Sequence, residues 1–236
     1  MTKPSLRFAM ATLSSLGLAI GLSTLTASRL GAAEAMSPLP LKLPAPTLKG
    51  TPPDDPPKGP NIEPLDLEKK RPPFLAPAGV QNVALKKKVT ISEAKPYSGE
   101  PALVTDGSKE ATDDEVLELR RGLKYVQLDL EAPQQIYAVV VWLDHRYYHV
   151  IHDVVVQVAD DDAFTKNVRT LFNNDSDNSA KLGAGTDKEY FETSQGKLID
   201  AKRAVARHLR CYTQGSSTSS MNGFTEIEVW GRPAAP

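Results

Sequence analysis

The chain is poor in several things, and each shortage removes a class of protein. Its 236 residues include one cysteine, Cys211, so no internal disulfide can form. The net charge is -1, so no overall basic field draws it to nucleic acid. Aromatic residues make up only 6%. Beyond the N-terminal region no stretch is apolar enough to cross a membrane. No segment keeps an i, i+3, i+4, i+7 apolar stripe over an ordinary helix length; "IDAKRAVARHL" (199–209) comes nearest. Also missing are G-x-S-x-G, H-E-x-x-H and a glycine-rich phosphate loop, so the chain is expected not to be an enzyme. Cys211 stands in an alternating run beside Leu209 and reads as a small buried apolar side chain.

What is present begins with an address. Lys3 and Arg7 precede an uncharged stretch from Phe8 to Ala27, and Ala33 and Ala35 form a small-x-small site. This layout predicts a signal peptide over residues 1–35 and a mature chain starting at Met36, with an uncleaved anchor as the competing reading. Export without disulfides fits a secreted, periplasmic or cell-envelope protein of bacterial type. Met36 to Pro77 then holds 13 of the 19 prolines, as in "TPPDDPPKGP". Proline at this density favours extended polyproline II, so residues 36–80 are expected to be a disordered linker.

From Gln81 the texture changes to short β-rich runs divided by turns. They are "KVTIS" (88–92), "EVLEL" (115–119), "YVQLDL" (125–130), "IYAVVVW" (136–142), "DVVVQVA" (153–159), "RTLFN" (169–173), "EYFET" (189–193), "ARHLRCY" (206–212) and "TEIEVWG" (225–231). In "YVQLDL" the residues Val126, Leu128 and Leu130 share one face, whereas "IYAVVVW" is apolar throughout, as a central strand would be. So many strands in about 150 residues predict an all-β antiparallel sandwich or barrel over 81–233.

Two stretches invite chemistry. "ALVTDGSKEATDD" (102–114) ends an apolar run in oxygen donors. Asp106-Gly107 is ordinary turn chemistry, and the same oxygens suit a hard cation such as calcium. "WLDHRYYHVIHD" (142–153) gathers three of the four histidines and two tyrosines. His145, His149 and His152 would make a zinc set only on a helix, which the flanking strands oppose. A sugar site would use His145, Arg146, Tyr147, Tyr148 and His149, with polar groups on hydroxyls and an aromatic ring on the C–H face. Simple packing of the tyrosines over the sandwich end is the third reading. In "NNDSDNSAKLGAGTD" (173–187), Asp175, Asp177 and Asn178 could hold a second cation, though no glutamate completes an EF-hand-like pattern. Met221 and Phe224 are the only apolar tips in "GSSTSSMNGF" (215–224), too few for membrane-lipid binding.

Six blocks in order carry a resemblance over residues 82–232: "NVALKKKVTIS", "PALVTDG", "YVQLDLEAPQQIYAVVVW", "HDVVVQVADDDAF", "ARHLRCY" and "GFTEIEVWG". Together they resemble the discoidin, or coagulation-factor type C, domain, a galactose-binding-like fold that includes family 32 carbohydrate-binding modules. The chain departs from the family in "SKEATDDEVLEL", where a Trp is common, and in lacking its disulfide. The resemblance implies a jelly-roll β-sandwich, usually non-catalytic, that binds ligands through loops at one end. It also implies a structural calcium held by the carboxylates of Asp106 and Glu226, carbonyls of Leu103, Ser108 and Thr225, and a hydroxyl or carbonyl of Thr112. The expected partner is a glycan, bound by a monomer. A protein–protein adhesion or scaffold module of the envelope is the alternative, and a hydrolase using the histidine loop the third reading.

Overall fold

The computed structural model describes Met1 and residues 34–46, 48–49 and 54–235. It divides into two compact units, Met1–Glu34 and Ala35–Pro236. The expected signal segment lies almost wholly outside the described residues, and all that follows concerns the second unit.

The centre is a 20-residue strand, β6 (Lys124–Leu143); it is named here by its place in chain order after β1 (Met36–Pro38), β2 (Leu75–Pro77), β3 (Gln81–Asn82), β4 (Lys88–Ile91) and β5 (Leu117–Leu119). After it come β7 (Val150–Ile151), β8 (Val155–Ala159), β9 (Arg169–Asn173), β10 (Tyr190–Phe191), β11 (Lys197–Thr213) and β12 (Asn222–Pro233). Among the described residues the one helical element is a short 3-10 turn at Pro101–Thr105, and no helix is long and apolar enough to cross a membrane.

The sheet is antiparallel and folds over on itself. The first half of β6 pairs with β4 and with the second half of β11, from Thr213↔Lys124 to His208↔Asp129. Its second half pairs with β12 and with the first half of β11, from Lys197↔Val141 to Ala206↔Gln134. Two strands thus pass from one layer to the other, and the corner sits where the sequence puts "DLEAPQQ". Glu131 takes a positive φ of 69°, with its N–H donated to Asp129 Oδ1 at 2.8 Å. The opposite strand shifts register between Ala206 and His208, and Arg207 clamps both Asp129 oxygens at 2.8 Å. That guanidinium holds the Asp129 carboxyl down at about 2. Bulges and positive φ are what let a strand turn a corner without losing its ladder. The expected break between "YVQLDL" and "IYAVVVW" is therefore a bend within one strand. Likewise "ARHLRCY" is the second half of a strand that starts at Lys197 and takes in the whole of "IDAKRAVARHL".

Alternate residues then sort the core. Val126, Leu128, Leu130, Val139, Val141 and Leu143 join Leu209, Cys211, Ile227 and Val229 in one buried cluster between the layers. Ala138, Val140 and Trp142 point the other way and form a second cluster with Trp230. This outer face is covered by Leu39, Leu41, Phe74, Val80 and Leu198.

That cover corrects the reading of residues 36–80 as a disordered linker. β1 pairs with β2, Leu39 N–H bonds to Phe74 O at 2.9 Å, and Ala76 is 1% exposed. Further along, Ile62 bridges Glu189 in parallel, and Arg71 Nη1 donates to the carbonyls of Gln195 and Gly196 at 2.9 and 3.1 Å. Proline favours extended backbone, and extended chain is what lies flat on a sheet; the missing N–H groups matter little at an edge. The physical reason is the uniform apolar run of β6, which leaves a second face to bury. Trp142 is packed so closely that a Cβ on Gly196, at φ +63°, would lie 2.7 Å from its ring.

The cover is therefore expected to contribute to stability. Phe74→Ala should cost about 2 kcal/mol, less than a fully buried Phe because Phe74 is half-buried. Leu75→Ala, at a side chain 52% exposed, should stay within about 0.5 kcal/mol. Urea midpoints for the two variants check this, and equal small effects would show that the segment does not hold the outer face.

Candidate functional site

The loop after β6 is built around a buried ion pair. Asp144 accepts from Arg146 twice, at Oδ1 from Nε and at Oδ2 from Nη2, both at 2.8 Å, and once more from the Arg146 backbone N–H at 3.1 Å. Arg146 Nη1 also reaches Asp113 Oδ1 at 2.5 Å, and Nη2 reaches Glu118 Oε1 at 3.4 Å. The guanidinium, 6% exposed, is thus held by three carboxylates and stays cationic across the whole ordinary pH range. Asp144 is kept ionised by the same pair despite its burial. Sequence reasoning singled out Arg146 but not Asp144, Asp113 or Glu118; the Asp-x-Arg spacing at a strand end was the available signal.

His149 fixes the loop's far end. Its Nε2 lies 2.7 Å from the Asp144 carbonyl, which can only accept, so Nε2 carries the proton. Nδ1 is then an acceptor, and the hydroxyls of Ser216 and Thr218 lie at 3.1 and 3.2 Å from it. Burial lowers the pKa of His149, as it does for His145, so both rings are neutral near pH 7. The facing loop 213–222 is pinned by Asn222, which uses all four of its hydrogen-bonding positions: it accepts from Thr213 Oγ1 and Gly215 N–H, and donates to the carbonyls of Arg120 and Gly122. Between the loops lies a cleft of about 350 Å3 lined by Asp144, Arg146, Tyr147, His149, Ser216 and Thr218, among others. Tyr147 stands on its rim, 42% exposed, with the Arg146 guanidinium 5.4 Å from its ring centre.

Of the five residues expected to form a sugar site, the structure brings Arg146, Tyr147 and His149 to this cleft. His145 does not line it; the ring is fully buried with Nε2 2.9 Å from the Lys109 carbonyl. Tyr148 lines a different cavity, between the proline-rich segment and the β10–β11 region. The zinc set does not assemble, because His152 turns to Glu189, 2.6 Å away, while His145 and His149 face backbone carbonyls.

The Asp-Gly loop does meet the last strand. Gly107 N–H donates to Glu226 Oε2 at 3.3 Å. Glu226 is fully buried, and its Oε1 has no hydrogen-bond partner. Burial pushes this carboxyl up to about 9, with the Gly107 N–H and the Lys109 charge opposing. Asp106 is exposed and accepts the Ser108 N–H at 2.7 Å. The other expected ligands are partly engaged: Leu103 O accepts the Asp106 N–H at 3.5 Å, and Thr225 Oγ1 donates to Leu143 O at 2.7 Å. Ser108 and Thr112 donate their hydroxyls to Glu115, at 3.1 and 3.0 Å, so the Thr112 side chain faces a carboxylate the sequence reading passed over. Lys109 brings a cation to the same loop, 2.7 Å from Glu228 Oε1.

A second acidic group differs from expectation in one member. Asp153, Asp175 and Asp177 place ligand atoms within 4.8 Å of one another, the one such group of three among the described residues, and offer carboxylates to a cation. Asn178 instead caps a turn through Gly183 N–H at 2.8 Å. Asp175 is fully buried, with N–H groups of Ser179 and Ala180 on its two oxygens. Burial, with the neighbouring Asp175 and Asp177, raises the Asp153 carboxyl.

No family model matches the chain, and no curated protein matches it. Among solved structures it is similar to a family 89 glycoside hydrolase from Clostridium perfringens, at 16% identity and a TM-score of 0.47 over 63% of this chain. The match spans 14% of that enzyme's length. It is also similar to a chitosan-binding module from a Paenibacillus sp. IK-5 chitosanase/glucanase (18% identity, TM-score 0.43, 64% of this chain and 99% of that one). A third is a Streptococcus pneumoniae fucose-binding module (14% identity, TM-score 0.45, 63% and 96%). At these values the likeness carries no function across.

Glu192 does not line the cleft but is joined to His149, which does. Its N–H donates to His149 O at 3.2 Å, and its carboxyl is buried with no partner on either oxygen. Burial raises that carboxyl to about 8. A carboxyl pKa raised above the ordinary 4.5 favours folding fully below pH 4.5, and the advantage is lost as pH rises towards 8. The stability of Glu192→Gln minus that of wild type should therefore grow by about 4 kcal/mol from pH 5 to pH 8. Urea unfolding of both proteins across that range is the measurement; parallel profiles would overturn it.

Proposed function

We propose that this chain is an exported, non-catalytic β-sandwich module that binds a glycan in the cleft between the loops at 144–149 and 213–223. The carrying observation is the cleft itself: an exposed tyrosine ring beside polar groups already fixed in place, at the loop end of the fold. Tyr147 offers a face for sugar C–H groups. The Thr218 hydroxyl can give its proton to His149 Nδ1, which leaves its oxygen lone pairs to accept from a sugar hydroxyl, while the Ser216 oxygen already takes the N–H groups of Thr218 and Ser219 and holds the loop in shape. Arg146 has most of its donors committed, so its part is to hold the acidic wall of Asp144 and Glu118 in register rather than to grip ligand alone.

The same reading includes a structural calcium joining Asp106 to Glu226. The unpartnered Glu226 Oε1 supports it, because a buried carboxylate oxygen beside a second carboxylate is a place for a hard cation. Carbonyls of Leu103, Ser108 and Thr225 would complete the donor set, and the ion would pin two chain-distant loops.

A shallow single-sugar site should bind at about 0.1–1 mM, or roughly -4 to -5.5 kcal/mol. Tyr147→Ala should weaken binding about five-fold through the lost ring contact, with an unchanged melting temperature. Arg146→Ala is the wrong test, because it strands Asp144 inside the protein. Titration of the wild type and Tyr147→Ala against a glycan panel decides; absence of binding by wild type to every glycan favours a protein partner in the envelope.

For calcium, a site filled at a thousand times its dissociation constant adds about 4 kcal/mol. Chelator should lower the wild-type melting temperature clearly, and Glu226→Gln should remove most of that response. Identical melting with and without chelator, and no calcium by metal analysis, would remove the site.

A further inference from the structure

The proline-rich segment does more than cover the outer face. Where it crosses the β10–β11 region it leaves a cavity of about 570 Å3. Its walls are largely apolar, from Leu65, Leu67 and Leu198 with the rings of Tyr148 and Tyr190. Tyr190 is 4% exposed and its hydroxyl has no hydrogen-bond partner. The charges around the cavity are unevenly matched. Lys197 is paired with Glu63 at 2.5 Å. Asp66 is turned back on the N–H groups of Glu68 and Lys69, both at 3.1 Å. Arg71 is different. Its Nη1 meets two carbonyls, and its Nε and Nη2 make no hydrogen bond among the described residues. The acid that acts on it is Glu228, whose oxygens are already held by Lys109 and Trp230. Lys69 also lines the cavity, exposed and outside any ion pair among the described residues.

A half-buried guanidinium with a free edge, set in apolar walls, suits a particular chemistry: one planar anionic group on an apolar body. We propose that this cavity binds an amphipathic organic anion of the carboxylate type, its head on Arg71 and its body between Leu65, Leu198 and Tyr148. The site is separate from the glycan cleft and does not rest on that reading. It also gives the proline-rich segment a second role, since Arg71 and Leu65 both belong to it.

The test uses the mature chain and three eight-carbon probes, octanoate, octanol and octylammonium, followed by calorimetry or by amide chemical shifts. Octanoate should bind saturably, octanol at least ten-fold more weakly, and octylammonium not measurably. Arg71→Gln should bring octanoate down to the affinity of octanol and leave octanol unchanged. Should Arg71→Gln lower the melting temperature, Leu65→Glu decides, because it places a like charge at a half-exposed wall position. It should cost octanoate at least ten-fold with a wild-type melting temperature. Octanoate binding unchanged in the deciding variant, equal binding of octylammonium, or no binding of any probe would each overturn the proposal.

Discussion

From Ile136 to Leu143 every side chain of β6 is buried, and a strand in that state needs cover on both faces. The inner face finds it in the folded-over half of its own sheet. The outer face does not, because the described residues form no further sheet layer over it; an extended proline-rich segment covers it instead. Each fully buried Val or Leu contributes about 1.5–3 kcal/mol relative to exposure. Both halves of the molecule therefore follow from one strand: the bend at Glu131 and the bulge at Arg207 close the inner core, and Phe74, Leu39 and Leu41 close the outer one.

The loop end inherits its rigidity from the same strand. Asp144 follows the last buried residue of β6, so its position is set by the sheet, and Arg146 is drawn back onto it. His149 then hangs from the Asp144 carbonyl, and Ser216 and Thr218 from His149. The cleft is a chain of fixed partners leading away from a strand end, so its walls are pre-organised and have little conformational freedom left to lose.

Much of this was legible in the sequence. The alternation in "YVQLDL" and the unbroken apolar run in "IYAVVVW" marked strand and central position, but not that the two are one strand bent at a corner. The Asp-Gly turn was placed beside Glu226, and Gly107 does bond to it. What the sequence hid was pairing at a distance. Proline density describes local backbone and says nothing of whether that backbone lies on a face, so the segment at 36–80 read as a linker. Arg146 read as a ligand donor because its type was visible and its partners, Asp113 and Glu118, were not adjacent in sequence. His145 and Tyr148 sit one residue either side of the cleft-facing Arg146–Tyr147 pair, and a tight loop turns such neighbours to different sides.

The two unpartnered buried glutamates show how identical local facts lead apart. Glu192 and Glu226 are each enclosed, each has an orphan oxygen, and each carboxyl is raised by burial. Around Glu192 lie Tyr190 and Cys211, neutral groups whose own ionisation burial opposes; Lys197 already brings a positive charge, and the nearby Asp144 is committed to Arg146. Nothing there gains from a cation, and the proton is the natural occupant. Glu226 has an exposed aspartate as its neighbour and a turn whose carbonyls belong to a loop at the surface. A proton would satisfy Glu226 and leave Asp106 as it is, whereas a divalent ion would engage both. The difference lies in the open loop and in a second carboxylate that no guanidinium holds, and that is why a cation is proposed for one and a proton for the other.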